Sequence, residues 1–117
     1  DGTIGPARSF RARLRMRARL FASIASLAEM LEGASDPLSV ERELQRLVSL
    51  LGLHRPHARR AGLIQRRARM AGTKMGENDA WIAATAALTR LTLVGDDDRA
   101  FKGRAGVTYV NYRAGTP

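Results

Sequence analysis

"NDAWIAATAALTRLTLVGDDDRAF", residues 78–101, contains the change of period from which the rest of the chain is read. Asp79 stands where a helix N-terminus welcomes negative charge, and the apolar run behind it sustains a helix from near Asn78 to Arg90. "LTLV" (91–94) then reads as a short buried strand, closed by Gly95 and by Asp96, Asp97 and Asp98, residues that turns favour.

Outward from this unit the same alternation repeats. "VTYVNY" (107–112) has the period of two of a last strand. Upstream, residues 58–71 form a strongly basic helix, and "SDPLSVERELQRLVSLLG" (35–52) reads as one amphipathic helix opened by Asp36-Pro37 and closed by Gly52. "LFASIAS" (20–26) reads as a buried strand running into the helix "SLAEMLEG" (26–33), with Leu27, Met30 and Leu31 on one side. Strands alternating with helices give an α/β class with a mainly parallel sheet.

The 117 residues suit one domain with its own core, spanning 1–117. A net charge of +9 fits a polyanionic partner, while 44% apolar residues argue against a disordered basic tail. Absence of cysteine removes disulfide frameworks and zinc ribbons, and His54 with His57 make a poor metal set. Without cysteine a reducing cytoplasm is the default compartment, and no apolar run approaches the length of a membrane span.

Three acids stand at element ends. Each has an ordinary role: Ser26 and Glu29 match the S-x-x-E capping box, Asp79 a helix N-terminus, Asp97 a turn. In an open parallel sheet, however, strand C-termini and helix N-termini share one edge. Glu29, Asp79 and Asp97 can therefore converge there, and converging carboxylates repel unless a hard cation such as Mg²⁺ or Mn²⁺ lies between them.

These residues also carry a resemblance. "NDAWIAATAALTRLTLVGDDDRAF" closely resembles the C-terminal signature of PIN domains, particularly VapC-type toxins of bacterial toxin–antitoxin pairs. "SIASLAEMLEGA" resembles the segment bearing their second acid, and the likeness covers residues 20–112. It implies a three-layer α/β/α sandwich and a Mg²⁺- or Mn²⁺-dependent ribonuclease that cleaves RNA with a metal-activated water. It also implies an antitoxin partner and a homodimer. Glu29, Asp79 and Asp97 match the metal-site acids, with Asp98 as an addition, and Trp81, Ile82 and Ala84 match a packing face.

The chain departs from the pattern twice. Gly95 replaces a threonine or serine two residues before the last aspartate. The family's first strand, which ends in an aspartate, is missing or diverged; Asp1 is the candidate fourth ligand.

Residues 1–19 form an atypical basic segment in which Arg11, Arg13, Arg15, Arg17 and Arg19 alternate with other residues. As a strand it would be long, at about 36 Å for eleven residues. As a helix it would stack like charges at i,i+4. Out-of-frame reading of GC-rich DNA is a bland alternative. Under the nuclease reading Arg13, Arg15, Arg17, Arg59 and Arg66 flank RNA phosphates. One Trp, two Tyr and three Phe leave little for base stacking. The rival is a catalytically incomplete PIN-like basic module that binds nucleic acid or a protein.

Overall fold

The computed structural model describes residues 19–114. Asp1, Arg13, Arg15 and Arg17, and most of the arginine alternation, lie outside the described residues.

The elements alternate as the sequence implies: β1 (Phe21–Ser23), α1 (Ile24–Glu32), α2 (Pro37–Leu47), β2 (Ser49–Leu51), α3 (Arg55–Met70), α4 (Glu77–Thr89), β3 (Leu93–Gly95), α5 (Asp98–Phe101) and β4 (Tyr109–Asn111). A 3₁₀ turn, Tyr112–Ala114, closes the series. Both strand pairs are parallel. Phe21, Ala22 and Ser23 stand opposite Ser49, Leu50 and Leu51, and Leu93, Val94 and Gly95 opposite Tyr109, Val110 and Asn111.

Among the described residues the two pairs are separate. A cavity of about 670 Å³ is lined by both, with Leu20, Ala22, Ile82, Thr85, Leu93 and Val110 among its walls.

Helix α4 is the hub of the packing. It lies against α3, α1 and α5, and Ala80, Ala83, Ala84, Thr85 and Ala86 are all buried. Small side chains on several faces let neighbouring helices approach closely. Ala61 and Ile64 from α3, Met75, and Ala100 and Phe101 from α5 complete this core, and Trp81, Ile82, Leu93 and Tyr109 pack against it. Trp81, Ile82 and Ala84 thus occupy the interior positions the motif implies.

Two boundaries differ from the sequence reading. The helix expected over 35–52 ends at Leu47: Val48 is extended, and Ser49–Leu51 forms β2. Leu47, Val48, Leu50 and Leu51 keep an apolar spacing that suits either state, and parallel pairing with β1 decides for strand.

The helix after the first strand also starts one turn earlier than the motif suggests. Ser23 caps it by accepting from Ala25 N at 3.1 Å. Ser26 therefore lies inside α1 and Glu29 in its second turn, which removes the capping-box role.

Candidate metal centre and its basic surround

Asp79 sits in the first turn of α4, half-buried, behind an N-cap, Gly76, that has no side chain to offer. The carboxylate leans back over that glycine, its Oδ2 lying 3.4 Å from where a Cβ at position 76 would be. The loop delivering it is held from α3. Gln65 clamps the backbone of Met75 at two points, donating Nε2 to the carbonyl at 2.7 Å and accepting from the amide at 3.0 Å.

Burial pushes the Asp79 carboxyl above its ordinary value, and the charges of Glu29 and then Asp97 push it further. The helix dipole acts in the opposite sense. Glu29 acts from an exposed position on α1, whereas Asp97 follows the end of β3. Three elements distant in sequence thus bring negative charge to bear on one buried-side carboxylate. They do not form a closed cage: among the described residues no three His, Asp or Glu side chains gather tightly enough to hold an ion as they stand.

Asp97 caps α5, its Oδ1 accepting from Ala100 N at 3.1 Å. Its neighbours are engaged by the last strand. Tyr109 and Asn111 donate to Asp98 Oδ1 at 2.8 and 2.9 Å, and Tyr112 and Arg113 donate to Asp96 Oδ2 at 2.8 and 3.1 Å. These bonds hold both carboxyls below the ordinary range. The sequence signal for the partners of Asp98 is the i,i+2 pair Tyr109 and Asn111 on one face of a strand.

Gly95 tolerates a larger residue: a Cβ there would meet Tyr109 at 3.7 Å, an ordinary contact.

The histidines have a local explanation. His57 Nδ1 accepts from the His54 backbone amide at 3.1 Å, closing the first turn of α3. Arg59 and Arg66 project from that same helix into solvent.

Hard oxygen donors without sulfur or imidazole suit Mg²⁺ or Mn²⁺, and magnesium in particular keeps several waters rather than demanding an all-protein cage. The chemistry of this donor set suits such an ion, and one bound there would relieve the repulsion at Asp79.

The fold has clear structural neighbours. VapBC of Salmonella typhimurium, in a DNA-bound crystal structure, superposes with a TM-score of 0.76 at 22% identity, over 92% of this chain and 84% of that one. VapBC2 of Rickettsia felis, bound to a promoter DNA fragment, gives 0.73 at 20% over 86% and 80%. VapBC-1 of nontypeable Haemophilus influenzae gives 0.78 at 18% over 90% and 86%. Among curated proteins none matches closely. The PIN domain family model matches residues 5–107, most of the chain and all three converging acids, and the protein therefore belongs to the PIN domain family.

Proposed function

We propose that the protein is a metal-dependent endoribonuclease of the VapC type, the toxin of a toxin–antitoxin pair acting in the cytoplasm. The observation that carries this is the placing of Glu29 and Asp97 within charge range of the half-buried Asp79 in a PIN domain. The VapBC neighbours support the toxin assignment and an antitoxin partner. A homodimer is part of the same proposal.

Glu29, Asp79 and Asp97 would hold Mg²⁺ or Mn²⁺, with Asp1 and Asp98 as further donors. Such an ion supplies charge neutralisation at the phosphodiester and acidifies a water for attack. The protein's own parts do the positioning. Gln65 fixes the loop before Asp79. Tyr109 and Asn111 occupy one oxygen of Asp98, while its backbone neighbour Asp97 remains at the head of α5. Arginines, including Arg59 and Arg66, offset the repulsion between a carboxylate cluster and the phosphates it must approach.

A second reading, a catalytically incomplete PIN-like module, is favoured by the open spacing of the acids and by the missing hydroxyl at Gly95. Single-stranded RNA incubated with Mg²⁺, Mn²⁺ or EDTA separates the two. Cleavage is expected with either metal and none with chelator, and Asp79→Asn or Asp97→Asn should lower the rate by about 100-fold or more, the scale of losing one charge-stabilising group. Full activity in both variants would overturn the site, and inactivity of the parent with every metal would favour the module.

A further inference from the structure

Helix α3 runs from Arg55 to Met70 and holds six arginines with no acidic residue. At 100° per residue, Arg55, Arg59, Arg66 and Arg69 fall within an arc of about 80°. The buried face of Ala61, Ile64 and Ala68 lies about 150° round the helix. All four stripe arginines are exposed. Among the described residues the ion pairs are Arg46 with Glu43 and Arg113 with Asp96, so the stripe has no acidic partner. Stacked like charges destabilise a helix, and a stripe left uncompensated suits a counter-charge from outside.

The stripe also has a direction. It spans about 21 Å along the axis, and its Arg66–Arg69 end is the end from which Gln65 grips Met75. Met75 precedes Asp79 by four residues. The arginine row therefore leads toward the carboxylates rather than past them. Gly62, in the same arc, has nothing within 4 Å of a Cβ placed on it, so the middle of the row is open to a backbone lying along it.

We infer that Arg55, Arg59, Arg66 and Arg69 form a track for the phosphodiester backbone of a single RNA strand whose other end reaches Asp79. This rests on the nuclease reading for what happens at Asp79, but the track itself is a binding surface. A length of about 21 Å is enough to pass several phosphates of one strand. Recognition is by charge, because this helix carries no Phe, Tyr or Trp for bases to stack upon.

The experiment measures binding of an RNA strand, kept intact by the absence of divalent metal, and of the matching duplex, by fluorescence anisotropy across a KCl series in EDTA. Two double variants of equal charge are compared, Arg59→Gln with Arg66→Gln on the track, and Arg42→Gln with Arg67→Gln off it. The on-track pair should flatten the log-log salt slope on single strands by about 1.4, at about 0.7 per contact, and adding Arg55→Gln and Arg69→Gln should bring the loss to about 2.8. The off-track pair should leave the slope unchanged. Equal flattening by both pairs would reduce the stripe to net charge, and no flattening by either would assign it to an acidic protein instead; both overturn the track. Tighter duplex than single-strand binding by the parent, with a track effect of about 0.9 per contact, overturns the single-strand assignment. Because turnover plays no part in the measurement, separation of the two pairs upholds the track even if the parent cleaves nothing, in which case the nuclease reading alone falls.

Discussion

Asp79 is a residue held against its own charge. Its folded carboxyl titrates above the ordinary value of 3.8 because of burial, then Glu29, then Asp97. The folded protein consequently keeps a proton that the unfolded chain has already lost, and stability falls as pH rises from the unfolded value through the folded one. Below the unfolded value this penalty is absent. Asp79→Asn should therefore raise the melting temperature at about pH 7 and make no difference at about pH 3, as read by circular dichroism in metal-free buffer. A lower melting temperature for the variant at neutral pH would mean that the carboxylate is instead welcomed by the helix end. Stability given up at a site in this way is the ordinary signature of residues retained for chemistry.

At the scale of elements, α4 was legible because its signals agree: an acid in the first turn, small apolar residues throughout, and a strand directly after it. Strand β2 was not, since three residues are too few to display a period and Leu47–Leu51 continues the spacing of the helix before it. The start of α1 misled for another reason. Ser26 and Glu29 fit the capping-box pattern, but β1 pairs with only three residues of β2, so the helix begins where that pairing stops and Ser23 is the cap. The two serines give opposite expectations for Glu29. Ser23→Ala should cost about 1 kcal/mol in urea denaturation, whereas Glu29→Gln should leave stability nearly unchanged and remove metal-dependent cleavage. A stability loss at Glu29 matching that at Ser23 would return it to a capping role.

For the molecule as a whole, the order of strands and helices conveyed the α/β class, and the rule that strand ends and helix starts share an edge anticipated that Asp97 acts on Asp79, whereas Glu29 does so from the second turn of α1. Hidden from the sequence were the bonds from Tyr109, Asn111, Tyr112 and Arg113 that engage Asp98 and Asp96, because they exist only once β4 lies beside β3. The cavity between the strand pairs leaves its own mark on the backbone. Leu93 donates its amide to Thr108 at 2.8 Å and Leu20 accepts from Ser49 at 2.9 Å, and the side toward which a strand's polar groups point alternates by residue. Among the described residues, therefore, the amides of Phe21 and Val94 point away from their partner strands, on the cavity side, while that of Leu93 faces its partner strand. Deuterium uptake followed by NMR should be slowest for Ala83 and Ala84 in the core helix, slow for Leu93, and faster by orders of magnitude for Phe21 and Val94. Slow uptake at Val94 would show that water does not reach that edge in solution; fast uptake makes β1 and β3 two half-shielded rims whose peptide groups breathe independently of the helices behind them.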